Sequence, residues 1–378
     1  DNEEDFYMSI QRGPLYKMKL DNTGASMAFQ RMDPASCDST KYLWKNPLAM
    51  DSNDDNLLFW AEKNKVWRHN SLNTIQYNNS NIQSNFGWEF FSDSLHPGMQ
   101  ISTLNTSVSP PNILYIGTSS KYMYRIDNAH IGDPPRTMLA GPPTGQNSYT
   151  HDIAINPTNA DEIICVYSNY SVYSLFHSLD GGQSWEKIAG NLEETTTGSG
   201  NGPSCRTAVI IPFDDDTLYL VGTTVGLFGT RDLDGENTIW EQIGFEEFGS
   251  TIVEDIQFRS SDDLLVVATY GNGVYQINLP SPNILLSSGN DLSDDLSINV
   301  FPNPTTDQIS LTFILDKPHD YRWTVYNEIG SIVNQSRAKK ASIGRINETI
   351  DLNGLKAGVY FVSVIIENEV VTKEFIVN

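Results

Sequence analysis

The sequence predicts an all-β protein in two parts. Residues 1–279 read as a β-propeller of at least six four-stranded blades, residues 280–296 as a linker, and residues 297–378 as an immunoglobulin-like β-sandwich of seven strands. Three observations lead there. A pair made of an apolar residue followed by an aromatic one recurs six times at nearly even spacing. Strand-like runs and turn residues flank each recurrence, while helical periodicity is nearly absent. The last eighty residues alternate apolar and polar side chains with period two, and their charge differs from that of the rest.

The six recurrences are GPLYKM, NKVWRH, KYMYRI, YSVYSL, VGLFGT and GNGVYQ. Their aromatics are Tyr16, Trp67, Tyr124, Tyr173, Phe228 and Tyr275, spaced by 51, 57, 49, 55 and 47 residues. An apolar β-rich run precedes the aromatic in each unit, as in NLLFWAE, NILYIGT, EIICVYS, TLYLVGT and LLVVATY. An acidic or Asn/Pro turn and a further strand precede most of these, and a fourth strand follows, often with a Trp. Four short strands per fifty residues is the period of a propeller blade. One blade cannot bury both its faces alone, so blades stack radially against their neighbours. The first unit (5–32) supplies only three strands, and so does the last (252–279). The strands missing from each are adjacent in a closed ring and belong upstream of Asp1. The chain opens without Met or an apolar leader, so it reads as a processed product or a fragment.

Ser178, Asp180, Gly182 and Trp185 fall in SLDGGQSW. This resembles the Asp-box, or BNR repeat, of sialidase-like and sortilin-like propellers. In that family the box closes the turn between the third and fourth strands, and its role is structural. Its Asp and Ser can bond turn amides, its Gly admits positive φ, and its Trp packs between blades. A degenerate copy occupies 230–240. A sialidase would add an Arg-Ile-Pro segment, and the sequence has none.

The C-terminal part opens with INVFPNPTTDQISLTF, continues through VYNEIGSIV and IDLNGLKAGVYFVSV, and stops after VTKEFIV and one Asn. The matching residues are Phe301, Pro302, Asn303, Pro304, Gly330, Leu355, Gly358, Tyr360 and Lys373. They resemble the type A C-terminal sorting domain of the Bacteroidetes type IX secretion system. The resemblance implies periplasmic transit, then passage through the outer-membrane translocon and its shuttle barrel. It also implies a cell-surface or extracellular destination. In the family a surface sortase often cuts before this domain and attaches cargo to an anionic lipopolysaccharide. The Pro/Ser/Gly/Asp composition of 284–296 suits such a cut.

Charge narrows the partners. The chain has 24 Lys+Arg against 47 Asp+Glu, a formal charge of −23, and residues 1–297 hold −22 of it. That argues against nucleic acid and against an anionic membrane surface. Cys37, Cys165 and Cys205 lack zinc spacing, so no metal or cofactor is expected. Cys165 reads as a buried small apolar residue, and a Cys37–Cys205 disulfide is one possibility. The acidic runs at 51–55, 214–216 and 262–263 fall in turns between first and second strands, where they read as solvated. The opposite end of the propeller is chemically different. Arg12, Lys63, Lys121, Tyr149, His151, Asp152, Arg206, Asp255 and Tyr270 fall there and form the candidate ligand face. Such groups suit a glycan or a peptide acid. The alternative is that His151 and Asp152 merely cap the start of a strand.

The function expected is therefore a type IX export cargo whose propeller binds glycan or protein without catalysis, and no catalytic residues are assigned. Two alternatives are a sialidase-like glycoside hydrolase and a retained propeller subunit of the secretion and attachment machinery.

Overall fold

The computed structural model describes residues 5–92, 95–144, 148–200, 202–213, 216–244, 248–279, 298–315, 319–327, 330–341, 344–366 and 369–378. The expected linker lies outside these residues, as does most of the acidic run at 214–216. The protein is all-β, with almost no helix, and divides into two compact units, Asp1–Ser288 and Gly289–Asn378.

In the first unit the described strands form successive antiparallel meanders of three or four strands. The first sheet holds β1 (Asp5–Ser9), β2 (Leu15–Leu20) and β3 (Ser26–Arg31). The second holds β4 (Leu48–Met50), β5 (Leu58–Glu62), β6 (Lys65–His69) and β7 (Trp88–Phe90). The third holds β8 (Ile101–Thr106), β9 (Leu114–Thr118), β10 (Met123–Ile126) and β11 (Thr137–Met138). The fourth holds β12 (Thr150–Asn156), β13 (Asn159–Tyr167), β14 (Leu175–Ser178) and β15 (Glu186–Lys187). The fifth holds β16 (Cys205–Pro212), β17 (Thr217–Thr223), β18 (Gly226–Thr230) and β19 (Glu241–Ile243). The sixth holds β20 (Val253–Arg259), β21 (Leu264–Thr269) and β22 (Val274–Asn278).

Burial explains why the second strand of each repeat is the loudest signal in the sequence. Every residue of β5 and β9 is buried, as are the last five of β13. A strand buried on both faces loses its alternation and reads as a continuous apolar run. Both faces are covered because the sheets pack on one another. β8 lies against β4 and β5, β12 against β8 and β9, β16 against β12 and β13, and β20 against β16 and β17. The core is accordingly divided among the sheet-to-sheet layers. Leu15 of the first sheet joins Trp60 of the second, Phe59 joins Ile116, Tyr115 joins Ile163, and Leu220 joins Val267. Each such side chain contributes roughly 1.5–3 kcal/mol on burial. Close approach needs glycine at two equivalent places. A Cβ on Gly117 would stand 2.5 Å from the Thr150 side chain, and one on Gly222 would stand 2.6 Å from Val253.

The second unit builds two sheets. One orders β23 (Asn299–Phe301), β24 (Gln308–Leu315) and β28 (Gly344–Asp351). The other orders β26 (Ile332–Gln335), β25 (His319–Asn327), β29 (Gly358–Ile366) and β30 (Glu369–Val377), with β27 (Lys339–Ala341) also on β25. Seven strands are expected, and eight segments are found. The difference arises because β26 and β27 pair with successive stretches of β25, as one interrupted edge strand. Ile309, Leu311 and Phe313 alternate inward as expected and share a core with Val325, Val362, Val364 and Phe375. This unit therefore has a core of its own.

All three cysteines are free thiols, which corrects the Cys37–Cys205 possibility. Cys37 is half-buried against the core between the first two sheets, whereas Cys205 begins β16. Burial pushes both thiols up to about 12, so neither is primed as a nucleophile.

Candidate functional site

The first strands of four consecutive sheets share one irregularity. Pairing to the second strand slips by one residue between Ile101 and Thr103, Thr150 and Asp152, Cys205 and Thr207, and Val253 and Asp255. The extra residue of each bulge is Ser102, His151, Arg206 or Glu254. A bulge leaves its residue without a ladder partner and re-aims its side chain. The frame is thus constant from sheet to sheet while the residue presented varies. Threonine hydroxyls close the neighbouring turns. Thr118 donates to Tyr122 O, Thr223 to Gly226 O and Thr269 to Gly273 O, at 2.7–2.9 Å.

The bulges separate the predicted site residues into two registers. His151 and Arg206 are bulge residues, whereas Asp152 and Asp255 each sit one position later and re-enter the ladder. The bulge residue equivalent to His151 on β20 is Glu254, which sequence reading missed along with Ser102 and Lys45. His151 Nδ1 is hydrogen-bonded to the Arg206 carbonyl oxygen, and its ring centroid lies 6.3 Å from that of Tyr149. Burial holds the His151 imidazole below its ordinary value. The Arg206 and Lys45 charges push the same way, and Glu254 opposes them.

Asp152 has a different role. Its Oδ1 accepts Asn105 Nδ2 at 2.9 Å and its own chain's Ile153 N–H at 2.8 Å. Its Oδ2 accepts the Thr207 hydroxyl at 2.8 Å and Ala208 N–H at 3.1 Å. One carboxylate therefore clasps β8, β12 and β16. Burial, then repulsion from Asp255, raises its pKa, while the Thr207 hydroxyl and the Ala208 and Ile153 N–H groups oppose that shift.

The remaining face residues occupy turns between second and third strands, or the β1–β2 turn. Arg12 N–H donates to Trp44 O at 3.0 Å, which places it beside the start of β4. Lys63 O accepts Ile101 N–H at 2.6 Å, at the start of β8. Lys121 lies 5.8 Å over the Tyr122 ring. Tyr270 is 73% exposed, and its N–H donates to Ile252 O at 2.8 Å. These residues share one end of the sheets without converging on a point.

The SLDGGQSW hairpin joins β14 to β15. Ser178 Oγ donates to Asp180 Oδ1 at 2.8 Å and accepts Gly182 N–H at 2.9 Å. Asp180 Oδ1 accepts Gln183 and Ser184 N–H groups, both at 2.9 Å, and Oδ2 accepts the Ser184 hydroxyl. Gly182 has φ 89°, and a Cβ there would lie 2.7 Å from Leu139 of the preceding sheet. Trp185 packs on the same core. The Ser184 hydroxyl, then its N–H, holds the Asp180 carboxyl down at about 2. An NMR titration is expected to find Asp180 near 2 and to find it higher in Ser184→Ala; an ordinary midpoint near 3.8 would contradict this turn.

In the second unit the opening motif is stitched to the end of the chain. Asn303 Oδ1 accepts Ile376 N–H at 2.8 Å, and its Nδ2 donates to Glu374 O at 3.2 Å. Thr305 N–H donates to Ile376 O and Asn378 N–H to Thr305 O, each at 2.8 Å. Tyr360 is buried, stacks on Phe375 at 5.9 Å and donates to Lys356 O at 2.9 Å. Leu355 packs on the core, while Gly330 and Gly354 take positive φ. Gly358 opens β29 opposite Val377. Phe301, Pro302, Asn303, Pro304 and Lys373 remain exposed.

No group of metal-ligating side chains occurs among the described residues, and no described helix is long and apolar enough to cross a membrane. Residues 299–378 match the secretion system C-terminal sorting domain. That domain implies type IX secretion, contact with its machinery, and delivery to the cell surface or the extracellular space. No curated protein matches the sequence. Among solved structures the chain is similar to PorZ of Porphyromonas gingivalis, described as an essential bacterial surface component of the type-IX secretion system. Identity is 13% and the TM-score 0.44, over 100% of this chain and 50% of that one. The chain thus spans half the length of that protein. It is also similar to the Malassezia sympodialis allergen Mala s 1, with 12% identity and TM-score 0.45 over 76% of this chain and 92% of that one. The Pan2 WD40 domain of Neurospora crassa follows, with 11% identity and TM-score 0.38 over 73% and 75%.

Proposed function

We propose that the chain is a type IX cargo protein whose first unit is a β-propeller of at least six blades with an Asp-box at 178–185, and whose second is an immunoglobulin-like sorting sandwich. On this reading the propeller works at the cell surface or in the medium as a non-enzymatic glycan- or protein-binding module. The observation that carries the reading is the series of bulges. A constant frame presents Ser102, His151, Arg206 and Glu254 at equivalent positions on one end of the sheets. Variable side chains on a fixed frame are suited to recognition. Acid–base chemistry needs a carboxylate with a free oxygen, and Asp152 is saturated by four donors.

Intact mass of the protein from whole cells and from culture medium tests the export half. Loss of about the last eighty residues, through a cut within 284–296, is expected for delivered cargo. A full-length mass that copurifies with the outer-membrane translocon would instead mark a retained subunit of the machinery. Glycan arrays test the binding half, and turnover of an arrayed glycoside would overturn the non-enzymatic reading.

A further inference from the structure

The first unit is strongly acidic, yet its bases are sorted by position. Residues 1–279 contain sixteen Lys and Arg. Nine pair with carboxylates, including Lys17 with Asp5, Arg68 with Glu89, Arg125 with Asp161 and Arg259 with Asp262. Lys19 lies over the Tyr77 ring. The other six are Arg12, Lys45, Lys63, Lys65, Lys121 and Arg206. None of them has a carboxylate within ion-pair distance among the described residues. Five lie where first strands begin or second strands turn into third, and Arg12 lies in the β1–β2 turn. Backbone bonds tie these places together: Arg12 to Trp44, next to Lys45, and Lys63 to Ile101, next to Ser102. Random placement of six unpaired bases in a chain with so many acids would not put all of them at one end.

Exposed Trp and Tyr rings sort the same way, whereas the exposed Phe6, Phe86 and Phe90 lie on or beside β1 and β7. Trp44 is 67% exposed, Tyr170 67% and Tyr270 73%, and they are the exposed Trp and Tyr residues of the described first unit. Trp44 precedes β4, Tyr170 sits between β13 and β14, and Tyr270 sits between β21 and β22. Bases and rings thus alternate around one end of the sheets.

We propose that this end docks an acidic polysaccharide, with the six bases neutralising its carboxylates and Trp44, Tyr170 and Tyr270 stacking on the apolar faces of its rings. The proposal deepens the binding function above and rests on it. Guanidinium and ammonium groups without a carboxylate of their own can form charge-assisted bonds with those of a ligand, including Lys65 and Lys121, which lie over the Phe90 and Tyr122 rings. Aromatic faces offer rigid apolar area that an acidic peptide would use less fully than a pyranose ring. The bases are spread over several sheets, which fits an extended multivalent anion better than a small one. Glu62, Glu193, Glu254 and Asp255 share this end and set the opposing field. Glu62 is held by Trp67 Nε1 and Asp38 N–H, and Glu193 by Ser174. Asp152 stands beside Arg206 as well, its Oδ2 accepting the Thr207 hydroxyl and Ala208 N–H.

The test is affinity electrophoresis of the full chain through gels containing polygalacturonate, its fully methyl-esterified form, poly-L-glutamate or duplex DNA. Retardation by polygalacturonate alone, lost in 0.5 M salt, is the expected result. Lys63→Asn with Lys121→Gln is expected to weaken it about tenfold, because two charge-assisted contacts are removed. Both changes fall in turns, and Asn tolerates the φ of 54° at Lys63. Tyr270→Ala should weaken it as well. Equal retardation by the methyl ester would show that charge is irrelevant and overturn the proposal. Retardation by poly-L-glutamate or DNA as strong as by polygalacturonate would overturn it and leave a binding function standing. Retardation by none of the four would overturn it too, and the binding function would then be judged by the glycan arrays alone.

Discussion

A chain lacking residues 299–378 is expected to stay in the periplasm of a type IX secreting host, with surface and medium fractions emptied. The converse experiment carries more weight, because it is a gain. A soluble periplasmic reporter fused ahead of residues 280–378 should reach the surface. The second unit can act alone because it has its own core, from Ile309 through Phe375. Its ends are fastened to each other through Asn303, Thr305 and Asn378. Phe301, Pro302 and Lys373 are exposed, so they add little to that core. Substituting Phe301 and Lys373 together should therefore impair delivery of the reporter while leaving its thermal unfolding within a few degrees, since surface changes usually cost under about 0.5 kcal/mol. Tyr360→Ala should do the opposite, lowering stability through loss of a buried ring. A reporter that stays inside with the intact unit attached would show that 280–378 is not a sufficient signal.

Much of this was legible in the sequence, for identifiable reasons. Second strands buried on both faces announce themselves as unbroken apolar runs, so IICVY and LYIGT marked their sheets directly. The three strands at 5–32 and the three at 252–279 were also countable, because turn residues separate them. The sorting motif was readable because Asn303 and Thr305 must lie near the chain end to make their bonds. The candidate site was only half legible. A bulge changes which residue faces outward without changing composition, so Asp255 was named where Glu254 holds the equivalent place. Asp152 was named with His151 because they are neighbours in sequence, although one points at a clasp and the other lies on the bulge. Lys45 was missed because it precedes its strand by three residues, in a stretch with no strand signal. The recurring Thr at the end of the second strand, in YIGT, LVGT and VVAT, was visible but carried no meaning until its turn bond was seen.

Asp152→Ala is expected to destabilise the first unit by roughly 3 kcal/mol or more, the largest effect of any single change at the site. The side chain accepts from donors on three consecutive first strands, and its removal strands the Thr207 hydroxyl and Ala208 N–H, while Asn105 Nδ2 keeps only its bond to Ile153 O. Each unsatisfied buried group costs about 1–3 kcal/mol. Relief of the buried charge offsets part of this, since burial and Asp255 raise the Asp152 pKa. The sign of that shift makes a second, independent prediction. A carboxyl with a raised folded-state pKa binds its proton more tightly folded than unfolded, so its contribution to stability declines as pH rises above 3.8 and levels off beyond the raised value. Asp152→Asn should flatten that slope and cost less than Ala, because the amide oxygen still accepts while the amide nitrogen cannot serve Ala208. The order wild type, Asn, Ala should appear in urea unfolding read by tryptophan fluorescence, which reports mainly on the first unit through six of the seven tryptophans. The unfolding of the second unit should not move. Ala at wild-type stability would mean that the clasp does not join the sheets. If the clasp does join them, the Ala variant should also weaken polygalacturonate retardation, because Arg206, one of the six bases, sits immediately before Thr207, which Asp152 holds.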